Sequence, residues 1–474
     1  MSPEALDPVQ KQRLLWLVAI GFFMQTLDAT IINTALPAMA ASLGESPLRM
    51  QSVVVAYSLT MAMLIPASGW LADRFGTRRV FMLAIALFTL GSLLCALSRG
   101  LGPLVASRVL QGLGGALLLP VGRLAVLRTF PRGEFLQAMS FVAIPGLIGP
   151  LLGPTLGGWI VEFTTWHWIF LINLPVGLIG LAATRLFMPD AHVERPARFD
   201  LGGYLLLAFG MVAISLGIEG ASELGLRQGG TLVLVVFGFA ALVVYWLHAA
   251  RHATPLFSPH LFGVRTLSVG LLGNLFCRLG SGAMPYLIPV SLQLSLGYSP
   301  LHAGLMMLPT ALAGMAMKRV AAPLILRFGY RHVLVANTAI IGLLMASFAL
   351  AAPGEPVWVR VLQLVAFGAF NSLQFTAMNT ITLKDLDDAS ASSGNSLLSM
   401  VQMLAMSLGV AAAGAVLAGF TNAFGGADAG ATLEAFRATF VAMGLVTLAS
   451  AAIFWQLPAE ARAPQPAHPD VSGQ

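Results

Sequence analysis

Charge is what this chain has least of. Only 10% of its 474 residues are Asp, Glu, Lys or Arg, against roughly 25% in an ordinary soluble domain. A soluble chain of this length would divide into two or more cores, each needing a charged, solvated surface. The composition excludes that, and with it a soluble enzyme, a nucleic-acid-binding module and a disordered scaffold. Lysine is scarcer still, with only Lys11, Lys318 and Lys384. None follows a glycine, so no GxxxxGK[ST] loop exists and nucleotide hydrolysis by that route is excluded. The two cysteines, Cys95 and Cys277, lie inside apolar runs. Without a CxxC or a Cys/His ligand spacing, neither a disulfide framework nor a metal site is expected. The formal charge of +6 does not indicate a nucleic-acid partner, because the basic residues are scattered along the ends of apolar runs.

What the chain has is apolar length. Hydrophobic residues make up 57%, and the mean hydropathy is +0.83. A helix that crosses a bilayer needs about 20 mostly apolar residues. Fourteen runs qualify: 14–36, 51–72, 79–98, 103–127, 135–160, 167–188, 200–220, 231–250, 267–291, 300–323, 332–352, 357–383, 392–418 and 434–457. A twelve-helix reading would drop the seventh and eighth. The first run follows Lys11 and Arg13, but its length and its Asp28 argue against a cleaved signal peptide. Placing the N-terminus inside puts 18 of the 26 Lys and Arg residues on the cytoplasmic side and four on the other. That bias orients both termini toward the cytoplasm. The tail from Pro458, with Pro464, Pro466 and Pro469, reads as a short disordered end.

The chain repeats itself. Arg74-Phe75-Gly76 returns as Arg327-Phe328-Gly329, 253 residues later. At the same offset Arg78 meets Arg331, and Ser46-Pro47-Leu48 meets Ser299-Pro300-Leu301. Arg108-Val109-Leu110-Gln111 returns from Arg360 to Gln363, at an offset of 252. Three matches in register imply two related six-helix halves with an inserted pair. The expected units are 1–190, 191–266 for the insertion, 267–458, and the tail 459–474. Such halves with a site between them at mid-membrane are a common plan of secondary transporters.

Several motifs carry a family resemblance. Gly69-Trp70-Leu71-Ala72-Asp73-Arg74-Phe75-Gly76-Thr77-Arg78-Arg79 follows the second run. It resembles the GxLaDrxGrr signature of the major facilitator superfamily. A positive-inside loop explains the arginines but not Asp73 among them. By resemblance, Gly69, Asp73, Arg74, Gly76 and Arg78 form a switch that latches the two halves at the cytoplasmic face. Arg108, Gln111 and Gly112 lie at i, i+3, i+4 on one helix face and look like that superfamily's RxxxG motif. The alternative is an Arg108 that snorkels to the outer surface. In the fifth run Gly146, Gly149, Gly153 and Gly157 alternate with Pro150 and Pro154. Close helix packing would explain the glycines. The combined pattern resembles the antiporter motif of drug exporters, which implies efflux. Leu27-Asp28-Ala29-Thr30-Ile31-Ile32-Asn33-Thr34-Ala35-Leu36-Pro37 and Trp166-His167-Trp168-Ile169-Phe170-Leu171-Ile172-Asn173-Leu174-Pro175 resemble markers of the fourteen-helix drug:proton antiporter branch.

An intramembrane charge costs roughly 2.5–3.5 kcal/mol on insertion scales, which makes it a functional candidate. Asp28 is the acid deep in a run. It lies past the midpoint of 14–36, on the outer side by about 4–5 Å at roughly 1.5 Å per residue. A neighbouring Arg108 would favour its charged form and burial its neutral form, so separating the two would switch it between releasing and taking a proton. The alternatives are a permanent Asp28–Arg108 pair, or an Asp28 satisfied by Thr26 and Thr30. Arg123, Arg278 and Arg360 leave the interior net positive, which speaks against a simple cationic-drug role. Arg278 stands at the centre of the ninth run with Asn274 one turn earlier. A planar donor fork beside an amide suits a carboxylate. The alternative holds Arg278 against helix-end carbonyls or an acid such as Asp28. Gln111 and Arg123 join Arg278 and Asn274 as candidate substrate contacts.

The reading is an all-α integral membrane protein with fourteen transmembrane helices, in two six-helix halves plus a two-helix insertion. It is expected to be an inner-membrane secondary transporter rather than an enzyme, exporting small amphiphilic or toxic compounds against protons by alternating access. Rival readings are export of an organic anion or metal chelate such as citrate, and a non-transporting membrane sensor. No cofactor is expected beyond a proton gradient. The expected partners are a small-molecule substrate and the lipid bilayer, with no nucleotide and no nucleic acid, and a single chain as the working unit.

Overall fold

The computed structural model describes residues 7–190, 198–220, 228–425 and 429–458. Seventeen α-helices account for most of them: α1 Pro8–Ile31, α2 Leu36–Leu43, α3 Gln51–Phe75, α4 Thr77–Ala96, α5 Leu101–Thr129, α6 Arg132–Phe163, α7 Trp168–Leu171, α8 Asn173–Phe187, α9 Leu201–Gly220, α10 Gln228–Ala249, α11 Arg265–Ser281, α12 Met284–Leu294, α13 Pro300–Met306, α14 Leu308–Ser347, α15 Val357–Leu383, α16 Asp388–Ala423 and α17 Ala429–Phe454. No strand occurs among the described residues. Among the described residues, twelve helical segments are long and apolar enough to cross a membrane. One of them, Pro300–Leu350, has 51 residues and holds two of the expected crossings. Gly329 divides it with φ 75°, inside α14. The protein is a multi-pass membrane protein, all helical. The C-terminal tail 459–474 lies outside the described residues.

The ninth crossing departs from expectation. A continuous helix over 267–291 is replaced by α11 and α12, which are separated at Gly282 and Ala283. Pro285 stands in the first turn of α12 and Pro289 inside it. Proline lacks an N–H and clashes with the preceding turn, so the helix restarts rather than continues. Arg278 therefore sits in the last turn of α11, not at mid-helix.

Gly76 has φ 90° and Gly329 φ 75°, so the two halves turn alike at positions 253 apart. A side chain is disfavoured at such φ values, and glycine is the residue that tolerates them. The first six crossings and the last six meet mainly at one end of the bundle, where residues 32–50, 154–172 and 284–306 form one core with Ile341, Met345, Phe436 and Phe440. Gln293 Nε2 donates to the Thr34 carbonyl at 3.0 Å. Thr155 Oγ1 donates to the Gly304 carbonyl at 3.3 Å. Gly158 and Gly304 face the backbones of Pro300 and Pro154 so closely that neither leaves room for a Cβ. Helix α3 also runs beside α16, with Leu59 and Ala62 in one core with Leu397 and Met400.

Helices α9 and α10 pack on each other, and α9 lies against α16 and α3. Asp200 begins α9 and accepts from the N–H of Gly203 at 2.8 Å and of Leu256 at 3.3 Å. Burial works to raise its pKa, but those N–H groups and His248 outweigh it and hold the carboxyl below its usual value.

Candidate functional site

The deepest polar cluster joins five helices of the first half. Asp28 on α1 is 2% exposed and Arg108 on α5 is 1% exposed. Arg108 Nη1 lies 2.6 Å from Asp28 Oδ2 and 2.7 Å from Gln111 Oε1. Gln111 Nε2 donates to Asp28 Oδ1 at 2.7 Å and to Ser92 Oγ on α4 at 2.8 Å. Asn173 Nδ2, on α8, donates to the same Asp28 oxygen and to Ser92 Oγ, both at 3.2 Å. Arg108 Nε reaches the Val53 carbonyl of α3 at 3.3 Å. Its guanidinium lies 4.2 Å from the centroid of the Tyr57 ring. A buried ion pair is tolerable only with its remaining donors and acceptors satisfied, and here the amides supply them. The close approach of α4 to α5 at this cluster needs Gly91, where a Cβ would come within 2.6 Å of the Gln111 backbone.

Thr26 and Thr30 take no part. Their hydroxyls donate to carbonyls of their own helix. They sit on the face of α1 that meets α6. There, a Cβ at Gly146, Gly149, Gly153 or Gly157 would run into Phe22, Thr26, Thr30 and Ile31 respectively. Thr34 Oγ1 donates to the Pro154 carbonyl at 3.2 Å. The glycine stripe with Pro150 and Pro154 thus makes the contact between α1 and α6 close, one face away from Asp28.

At the other end of α3, Asp73 pairs with Arg128 of α5. Arg78 and Arg79 gather on Asp190, after α8, at 3.6 and 4.0 Å. Asp190 also packs on Gly76. The expected latch between halves is therefore not the contact made here. Asp73 is satisfied inside the first half, because the halves meet mainly at the opposite end. One turn before it, Trp70 packs on Phe199, which leads into α9, with ring centroids 4.8 Å apart.

A second polar cluster lies in the second half. Arg278 Nε donates to Asn274 Oδ1 at 3.2 Å. Gln402 Nε2 of α16 reaches the same oxygen at 3.4 Å and Asn379 Oδ1 of α15 at 2.5 Å. The Arg278 guanidinium lies 4.7 Å from the centroid of Phe375, and its Nη2 is buried with no hydrogen-bond partner. Asp28 is already held by Arg108, so the expected alternative of an Asp28–Arg278 pair is excluded.

Residues 18–410 match the family described as Major Facilitator Superfamily. The chain belongs to the major facilitator superfamily. It is therefore a membrane transporter rather than an enzyme, in a superfamily whose members bind small-molecule substrates within the bilayer. A relative from Pectobacterium atrosepticum named "Putative multidrug resistance protein MdtD" is 51% identical over 452 residues, which are 95% of this chain and 97% of the relative. A protein of the same name from Salmonella typhi is 52% identical over 449 residues, 94% of each chain. Among solved structures, a POT family transporter in complex with 5-aminolevulinic acid superposes with a TM-score of 0.69 at 17% identity, covering 94% of this chain and 95% of its own. A D-xylose-proton symporter superposes with a TM-score of 0.68 at 14% identity, covering 94% and 97%. At such identities these two show a shared superfamily fold and no more.

Within this superfamily member the expected site residues separate into two places. Gln111 is a neighbour of Asp28 rather than a free substrate contact, because its amide is spent on Asp28 and Ser92. Arg108 does not snorkel. Arg123 is exposed on α5, away from both clusters. Asn274 and Arg278 stay together. Ser92, Asn173, Tyr57, Asn379, Gln402, Arg128 and Asp190 are partners that the sequence reading did not single out. Asn173 stands inside the motif that runs from Trp166 to Pro175. The others carry no local signal.

Proposed function

We propose that the protein is a proton-coupled exporter working by alternating access, with Asp28 as the proton carrier. The observation that carries this reading is the carboxylate of Asp28, buried among helices and balanced by one arginine at 2.6 Å. A carboxylate held there sheds its charge only by taking a proton. Movement of α1 against α5 would lengthen the pair and leave the buried carboxylate without its counter-charge, a charge that a proton can replace. Arg108 would keep the Val53 carbonyl, Gln111 Oε1 and the Tyr57 face, so its own charge would not be abandoned. The close glycine–proline contact of α6 on α1 ties the carrier helix to the helix that meets α13 of the other half. Protonation and the approach of the halves are thereby candidates for one coupled motion. On the expected orientation, the packed end of the bundle is the outer one and the protein stands inward-facing. The direction, efflux, rests on the antiporter pattern and on the names of the MdtD relatives, which extend a multidrug-resistance role to this chain. The setting is a bacterial inner membrane, with both termini in the cytoplasm. The two halves, 1–190 and 267–458, move against each other and 191–266 rides with them.

A second reading is favoured by Arg278. It is a part-buried donor fork whose Nη2 is enclosed without a partner, beside three amides. Such a group suits an anionic substrate, an organic acid or its metal chelate.

The test of coupling uses inverted vesicles energised by respiration, with ethidium and citrate as probes. Wild-type protein should release protons when its probe is added, and Asp28→Asn should abolish that release. Release at the wild-type rate in the Asp28→Asn variant overturns the assignment.

A further inference from the structure

We propose that Asp200, His248 and His252 form a divalent transition-metal site, zinc by its donor set, at the end of the α9–α10 pair. One donor atom from each of the three lies within 4.8 Å of the others. His248 and His252 stand four residues apart, where α10 ends, and their rings stack with centroids 4.9 Å apart. His252 lies just past the end of α10, but its backbone N–H donates to the His248 carbonyl at 2.9 Å, so the turn carries on and the two rings stay on one face, toward the start of α9. There Asp200 is 5% exposed, and its Oδ1 lies 2.8 Å from His248 Nε2. Two imidazoles and a carboxylate are a ligand set that zinc accepts, with a fourth position left to water. Zinc bonds of about 2.0–2.2 Å need the Asp200–His248 contact to widen slightly and the wider separations, up to 4.8 Å, to close, which small turns of the part-exposed His248 ring and the exposed His252 ring supply.

A loop staple made of Asp200 and His248 alone would explain that hydrogen bond. It does not explain His252. This ring is exposed, and the hydrogen bond it makes is a long one, 3.3 Å from the Thr254 N–H to Nδ1, which an ion would replace. An open hollow of about 360 Å³, lined by Val244, Leu247, His248, Arg251 and His252, gives access from solvent. Arg251 lines the same hollow and opposes a cation, so the expected affinity is moderate, in the micromolar range.

The placement gives the ion something to hold. Asp200 accepts from the Leu256 N–H. Tyr245 hydrogen-bonds both the N–H and the carbonyl of Phe257. A metal bound here would fasten the start of α9, the end of α10 and the connection that leads into α11. It would stiffen the join between the inserted pair and the second half.

The test uses tag-free, full-length protein in detergent, stripped with a chelator and titrated with zinc against a chromophoric indicator. We expect about one zinc per chain at micromolar concentration. His252→Ala, at an exposed position that folding does not depend on, should weaken binding by about tenfold or more, a loss of the size seen when metal-site partners are removed. His302→Ala, at a distant exposed histidine, should bind as the wild type does. Zinc should raise the melting temperature of the wild type and not that of His252→Ala. No uptake by the wild type, or equal affinity and equal thermal shift in His252→Ala, overturns the proposal.

Discussion

Arg108 and Arg360 occupy equivalent places in the repeat, and each stands three residues before a glutamine. They are 1% and 3% exposed. Their partners differ. Arg108 meets a carboxylate from another helix, deep in the bundle, and Gln111 completes the cluster. Arg360 meets Glu355, five residues earlier at the mouth of its own helix, at 3.0 Å, together with the Ala352 carbonyl at 3.3 Å. Its Nε and Nη1 are buried without partners. Gln363 turns to the Ser347 carbonyl. The position 253 residues after Asp28 holds Ser281. The second half thus repeats the arginine and drops the acid. The loops tell the same story: Gly76 and Gly329 turn alike, whereas the counterpart of Asp73 is Leu326, 82% exposed. Backbone requirements recur in both halves. The buried acid does not, so the proposed proton carrier belongs to one half while the other offers an arginine with donors to spare.

The largest effect should separate the two arginines. Arg108→Ala leaves Asp28 buried and uncompensated, which costs about 3–5 kcal/mol when a buried pair is broken from one side. Arg360→Ala leaves Glu355 near the loop, where water can reach it, at a cost of about 1–3 kcal/mol. Melting of the detergent-purified variants should show the larger drop for Arg108→Ala, and proton-driven transport should be lost in it alone. Equal drops and equal loss of transport would end the distinction between the halves.

A middle-sized effect concerns Arg278 against Arg108, two arginines within crossings, of which one has a carboxylate at contact. If the spare donors of Arg278 serve an anion, Arg278→Ala should abolish citrate export. Arg278→Lys should recover part of it, because the ammonium lacks the bidentate fork. Ethidium transport should change far less. Equal loss of both probes in a correctly folded Arg278→Ala variant would make Arg278 a structural residue.

Much of this was legible in the chain, for identifiable reasons. Apolar length gives the crossings, and glycine turns at a fixed offset give the repeat. Asp28 and Arg108 could be paired in advance because an acid and a base deep in apolar runs have few other ways to be tolerated. The break at Gly282 was hidden inside an unbroken apolar run, since hydropathy does not register Pro285 and Pro289. Ser92 was invisible as a partner, because nothing local marks which serine faces a distant carboxylate. Asp200 stands 48 residues before His248, and only the packing of α9 on α10 brings them together. The i, i+4 pair His248 and His252 stands in the sequence, but its carboxylate partner cannot be found by counting along the chain.

The smallest effect should come from Asp73. Asp73 and Arg128 are 36% and 22% exposed at the side chain, and exposed pairs of this kind contribute about 0.2–1 kcal/mol. The substitution Asp73→Asn should therefore leave melting almost unchanged. Its consequence lies in the balance of states. An interaction worth up to about 1 kcal/mol shifts a two-state equilibrium by no more than roughly fivefold. In the state described here Asp73 is paired within the first half, so its loss should favour whichever state does not need that pair. Cysteine accessibility at single reporter positions on the two ends of the bundle, in a background lacking Cys95 and Cys277, reads that balance directly. We expect a shift of a few-fold in the relative labelling of the two ends, with the dependence of transport on probe concentration retained. The counterpart change, Leu326→Asn, should shift neither end, because no ion pair exists there to lose. If Asp73→Asn and Leu326→Asn label alike and transport normally, the loop acid is an orienting charge and the asymmetry between the halves is confined to the membrane interior.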